Sequence, residues 1–155
     1  MSEARVVARK RVATGALIVD RHGNLLAVKP TYLDRWSIPG GVVEADESPR
    51  DGCVREVREE LGLDLPIGRL IAVDYTSADA RGDDSLQFLF DGGVLDDAQI
   101  ASIRLPPEEL AAFRFAPRTE ALELLGDGKL ARRMPACLAA YDAGRTLYLQ
   151  DGREP

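Results

Sequence analysis

Residues Gly40 to Leu63 read GGVVEADESPRDGCVREVREELGL, and the local chemistry of this run places a helix within it. Ser48 is a preferred cap, and Pro49 behind it loses no needed donor at the first helical position. Asp51 stands three residues after Ser48, a capping-box-like spacing that also sets a negative charge at the positive helix end. Gly62 is a stop signal. The pattern predicts one helix over Pro49–Leu61.

Around that helix, with Cys53 at zero and about 100° per residue, Val57 falls at about 40°, Leu61 at about 80° and Val54 at about 100°. These form one apolar stripe. Glu60 falls at about 340°, Glu56 at about 300° and Glu59 at about 240°, so three carboxylates crowd one flank and Glu60 sits at the edge of the stripe. Like charges at these spacings repel unless a cation joins them. Oxygen-only ligands suit Mg²⁺ or Mn²⁺. From the three glutamates alone, a solvated acidic face is the other reading. Gly52, inside the helix, should cost about 1 kcal/mol relative to alanine, which asks for a use in close packing.

The surrounding spacing goes further. Gly41, Glu47, Arg55-Glu56, Val57, Glu59-Glu60, Gly62 and Leu63 fill G-x5-E-x7-R-E-U-x-E-E-x-G-U, where U is aliphatic. This run resembles the Nudix box, the signature of the Nudix hydrolase family, at every defining position. The resemblance implies an α/β/α sandwich with a mixed β-sheet and the box as loop, helix and loop. It implies Mg²⁺ or Mn²⁺ held by Glu56, Glu59, Glu60 and the Gly40 carbonyl, with Glu56 and Glu59 as catalytic acids. It also implies a Glu47–Arg55 pair that ties the loop to the helix. The implied reaction is cleavage of the diphosphate bond of a nucleoside diphosphate linked to a group X. Metal ions offset charge on the phosphates, and an activated water attacks one phosphorus in line. A Nudix domain that senses a nucleotide without cleaving it is the alternative.

The whole chain is consistent with that class. Its 155 residues suit a single domain spanning 1–155, and 45% apolar with 30% charged residues reads as soluble and globular. A net charge of −6 argues against non-specific grip on a nucleic-acid polymer. The expected partner is a small nucleotide-like diphosphate, with a homodimer left open. Cys53 and Cys137 lie in no metal-spaced cluster and read as core thiols in a reducing compartment. No apolar run suits a signal peptide or a membrane span, so cytoplasm is the expected location. His22, the lone histidine, falls in a predicted turn and reads as solvated.

In order, Val12–Asp20 and Leu25–Val28 read as a hairpin across Gly23-Asn24, and Lys29–Asp34 as loop. Arg35–Pro39 reads as a short strand. Leu70–Tyr75 and Ser85–Phe90 read as strands, the second stopped at Asp91-Gly92-Gly93. Ile100–Leu105 is predicted as another strand and Pro106–Leu110 as the start of a short helix or turn. Pro117–Leu125 and Leu130–Ala143 are predicted helices, with Pro135 limiting the start of the second. Thr146–Gln150 reads as a late strand, and the residues after it as a frayed tail. Strands alternating with helices give an α/β class.

Lys29 and Arg35 flank the expected site and are candidates to hold a phosphate oxygen. Trp36 is either a packing anchor or a wall of the substrate pocket. Family members often carry a further glutamate at positions resembling Gln99 and Ser102, which this chain lacks. Candidates outside the box are Asp96, Asp97, Glu108, Glu109, Asp83 and Asp84. Asp97 is nearest in sequence, with Glu56 expected to carry the larger share of base function.

Overall fold

The computed structural model describes residues 4–155. Strands β1 (Arg11–Asp20), β2 (Leu25–Pro30), β3 (Gly40–Val42), β4 (Leu70–Thr76), β5 (Ser85–Leu95), β6 (Leu110–Ala116) and β7 (Leu147–Gln150) form one sheet. Its order is β6-β2-β1-β5-β4-β7, with β3 also paired to β1. The sheet is mixed: β1–β5 and β4–β7 are parallel and the remaining pairs antiparallel. Helix α1 (Pro49–Leu61) covers one face, and α3 (Arg118–Leu125) and α4 (Lys129–Ala143) cover the other.

Side-chain alternation along β1 builds both cores. Ala16 and Ile18 pack with Cys53, Val57 and Leu61 of α1. Leu17 and Val19 pack with Leu125, Met134 and Cys137 of α3 and α4. Burial pushes the thiols of Cys53 and Cys137 up to about 11 and about 12, so neither is a nucleophile near neutral pH. No helix among the described residues is long and apolar enough to cross a membrane.

Helix α1 has the predicted bounds. Ser48 Oγ accepts from Asp51 N at 3.0 Å, and Gly62, at φ 70°, donates its N–H to Arg58 O. Several other elements differ from expectation. Gly92-Gly93 does not stop β5. The strand continues to Leu95 through a bulge, because Leu17 pairs with Asp91 and Ile18 with Gly93, leaving Gly92 over. A Cβ on Gly92 would lie 2.4 Å from Ile18 Cγ1. Ile100–Leu105 is not a strand. Helix α2 (Asp97–Ala101) covers its start, set by a capping box in which Asp96 accepts from Gln99 N and Gln99 Oε1 accepts from Asp96 N. Arg35–Pro39 forms only a single bridge, Val28 to Ser37. Lys29 and Pro30 belong to β2, whose partner β6 appears only as pairing at the sheet edge. Helix α4 starts at Lys129 and runs through Pro135, which removes one helical donor without setting the start.

The last residues are anchored, not frayed. Asp151 accepts from Ser77 N at 2.8 Å and Ser77 Oγ at 2.6 Å, and Gly152 N donates to the buried Asp74 at 3.1 Å. Ser77 holds the Asp151 carboxyl below the usual range. Asp151→Ala should therefore destabilise the chain by about 1–2 kcal/mol, seen as a melting temperature lower by about 2–8 °C. An unchanged melting temperature would show that the tail hangs free.

Candidate active site

Two places without a side chain bring the box onto the sheet. At Gly40 a Cβ would lie 2.2 Å from the Thr14 carbonyl oxygen, so only glycine lets β3 sit this close to β1. At Gly52 a Cβ would lie 2.9 Å from Glu47 Oε1. The helical glycine that propensity disfavours is where the loop carboxylate rests against α1.

Arg55 joins these parts. Its Nε and Nη2 donate to Glu47 Oε2 and Oε1 at 2.8 and 3.0 Å, and Nη2 also reaches the Val42 carbonyl at 3.1 Å. Nη1 donates to Glu56 Oε1 at 3.0 Å and Glu59 Oε2 at 3.2 Å. Hydrogen bonding from Arg55 holds the Glu47 carboxyl below its usual value and raises the guanidinium's own pKa. The contact ties the loop after β3 to α1.

Glu56 and Glu60 face a cavity of about 810 Å³, within the roughly 300–1,000 Å³ typical of small-molecule sites. Desolvation raises the Glu56 carboxyl despite its bond to Arg55. Desolvation pushes Glu60 to about 8, with Glu56, Glu109 and Glu59 adding repulsion and a 3.0 Å hydrogen bond from Gly40 N acting the other way. Glu59 is exposed at the rim.

Glu109 is the acid outside the box that reaches this corner. It lines the cavity and lies near enough to Glu56 and Glu60 to raise both. The turn before β6 carries it, with Glu109 O accepting from Thr31 N at 2.9 Å. Asp97 does not line the cavity and pairs with Arg21 at 3.1 Å on α2. Asp96 caps the same helix, and Asp84 holds Lys10 and the Tyr75 hydroxyl. Asp83 lines another part of the cavity wall, and Glu108 does not line it.

The three substrate candidates separate by which way they face. Val28 and Pro30 line the cavity, so Lys29 between them turns away and donates to the carbonyls of Pro30 and Leu33. Arg35 and Ser37 line it, and Trp36 does not. Trp36 is half-buried, and its backbone N–H bonds to Leu124 O at 3.0 Å. Arg35 lies against the start of α4, where a Cβ on Gly128 would stand 3.2 Å from its Nη1.

A sequence model of the NUDIX domain matches residues 9–137. The chain belongs to the Nudix family. This Nudix chain is 43% identical over 76 residues to a CTP pyrophosphohydrolase of Escherichia coli K12, covering 46% of the chain and 56% of that protein. It is 38% identical over 74 residues to diphosphoinositol polyphosphate phosphohydrolase 3-alpha of Mus musculus, covering 47% of the chain and 45% of that protein. The chain spans about half the length of the curated relatives it matches. Its fold superposes on a MutT NUDIX hydrolase from Burkholderia pseudomallei with a TM-score of 0.66 at 26% identity, covering 86% of this chain and 98% of that one. The mixed sheet between helical layers is thus the Nudix architecture that the box resemblance implied.

A raised carboxyl binds its proton more tightly in the folded state, so its contribution is complete below the unfolded value near 4.5. It is lost as pH rises through the folded value of about 8. Glu60→Gln, kept in chelator, should therefore melt like the parent at pH 5. At pH 8.5 it should melt higher by at least about 3 °C, what roughly 1 kcal/mol gives a chain of this size. Parallel melting curves at both pH values would mean that Glu60 is not desolvated.

Proposed function

We propose that this chain is a single-domain pyrophosphohydrolase. It cleaves the diphosphate bond of a nucleoside diphosphate linked to a group X, such as a nucleoside triphosphate or nucleotide sugar. The observation that carries this reading is the facing of Glu56, Glu60 and Glu109 on one cavity, the first two with raised carboxyls. The E. coli relative's name, CTP pyrophosphohydrolase, supports the same class.

The donor set fits a hard divalent cation, Mg²⁺ or Mn²⁺. Among the described residues no three acidic, histidine or cysteine side chains already converge as a cage. Arg55 holds one oxygen each of Glu56 and Glu59, and Gly40 N holds one of Glu60. Each carboxylate keeps its other oxygen uncommitted, and the raised Glu60 carboxyl is a site short of positive charge. Glu56, Glu59, Glu60 and the Gly40 carbonyl would hold the ion. When bound, it offsets charge on the diphosphate and polarises the attacking water.

The chain's residues do the remaining work. Glu56, raised by burial, takes the proton from the attacking water. Glu109, carried by the turn before β6, serves as the acid from outside the box. Arg35 has no carboxylate partner among the described residues and faces the cavity, so it holds a phosphate oxygen of the substrate. Arg55 keeps Glu56 and Glu59 oriented through Nη1.

With Mg²⁺ and a panel of nucleoside triphosphates and nucleotide sugars, Glu56→Gln should slow turnover by about 10²-fold or more and Glu109→Gln by about 10-fold. Asp97→Asn, remote from the cavity, should stay within about twofold. Chelator should abolish turnover in the parent. Tight nucleotide binding with no cleavage of any panel member would replace this reading with a nucleotide sensor.

A further inference from the structure

The buried polar residues among those described are Thr14, Asp74, Thr76, Ser85 and Arg133. All but Thr14 gather at one place. Along the β4–β5 ladder the α4-facing row begins apolar with Ala72 opposite Leu89. It then turns polar, with Asp74 opposite Gln87 and Thr76 opposite Ser85. Arg133 of α4 meets this row. Its Nε donates to Asp74 Oδ2 at 2.7 Å and its Nη2 to Thr76 Oγ1 at 3.2 Å. Asp74 Oδ1 takes Gly152 N, and Gln87 Nε2 donates to Ser85 Oγ at 3.0 Å.

Such a group is expensive to place in a core. A buried ion pair is commonly no better for stability than apolar residues of the same volume. Here it borders the cavity: Thr76, Ser85, Gln87 and Arg133 all line it, away from the glutamates. Arg133 is 8% exposed, and its Nη1 has no partner among the described residues. Gln87 Oε1 is likewise free of protein donors among the described residues. A fixed donor and a free acceptor therefore border one space. Ala13 of β1, in register with Gln87, lines the cavity beside them. Two cations here already have carboxylate partners, Arg133 with Asp74 at 2.7 Å and Lys129 with Asp79 at 2.9 Å, while Arg11 and Arg81 also line the cavity. An ionised phosphate has no hydrogen to offer the Gln87 acceptor, so the donor and acceptor together suit the edge of a hydrogen-bonding ring.

We propose that Arg133 and Gln87 determine specificity by reading the hydrogen-bonding edge of the substrate's nucleobase, Arg133 donating to a ring acceptor and Gln87 accepting from the neighbouring donor. The proposal rests on the nucleotide reading above and goes beyond it, since it selects a nucleobase over a polyphosphorylated ring. A site built to hydrogen-bond a group discriminates strongly against ligands that lack it.

The test is calorimetric binding to the full chain of cytidine, uridine, adenosine and guanosine monophosphates, ribose 5-phosphate and inositol hexakisphosphate. At least one nucleotide should bind about tenfold or more tighter than ribose 5-phosphate. Gln87→Leu and Arg133→Lys should each remove about fivefold or more of that preference and leave ribose 5-phosphate affinity in place. In turnover, KM should rise with kcat within about threefold. Gln87 is only half-buried, so its variant keeps the test open if Arg133→Lys fails to fold. Equal affinity for nucleotide and ribose 5-phosphate, an unaltered preference in Gln87→Leu, or preferred binding of inositol hexakisphosphate would overturn the proposal. A nucleobase preference that Gln87→Leu lowers, without cleavage of any nucleoside triphosphate or nucleotide sugar, would instead retain the proposal and defeat the hydrolytic reading.

Discussion

A single guanidinium holds the acidic corner together. Arg55 spends two nitrogens on Glu47 and the third on Glu56 and Glu59, in a chain whose net charge is already −6. Its side chain is 21% exposed and its contact with Glu47 is bidentate, so the near-zero value of ordinary surface pairs does not apply. Without it, Glu47 would lie against the helix with its charge uncompensated, and Glu56 and Glu59 would repel each other one turn apart. The same contact fixes the loop, because Arg55 also holds the Val42 carbonyl at the end of β3. Gly40 and Gly52 are its geometric counterparts. They leave space where the loop meets β1 and where Glu47 meets α1.

What was legible in the residues follows how local the cause is. Helix α1 could be bounded from Ser48, Pro49 and Gly62 because its caps lie within its own sequence. The α2 capping box, Asp96 with Gln99, is equally local, and it stands just before the Ile100–Leu105 stretch whose residues suggest a strand. Strand β6 is different. It exists as the edge partner of β2, and its alternation alone does not mark it. The site divides in the same way. Glu56 and Glu60 fall beside each other by helical spacing. That Glu109, and not Asp97, joins them depends on the pairing of β6 with β2 and on the Thr31–Glu109 bond, which no spacing rule contains. Lys29 turns from the cavity by its place in β2 between Val28 and Pro30, and Trp36 does not share the lining that Arg35 and Ser37 form.

The two ends of the cavity solve opposite electrostatic problems with the same sheet. At the α1 end, like charges are brought together and partly desolvated, which leaves the site short of positive charge. At the α4 end, Arg133 and Lys129 are each paired with a carboxylate, and Gln87 Oε1 keeps hydrogen-bonding capacity. An anionic ligand cannot be attracted by a chain of this net charge except where the balance is locally changed. Arg35, without a carboxylate partner among the described residues, is set against the start of α4 and lines the same cavity.

The polar end also explains why the chain continues past β7. The β4–β5 ladder would be most easily stabilised by extending its apolar row beyond Ala72 and Leu89. The chain places Asp74 there instead, and a buried carboxylate must have its remaining lone pairs met. Arg133 meets one oxygen and the Gly152 N–H the other, which requires the turn at Asp151 and its anchor on Ser77. The closing residues are thus a structural consequence of a charge put into the sheet. That charge makes most sense as the support that points Arg133 into the cavity.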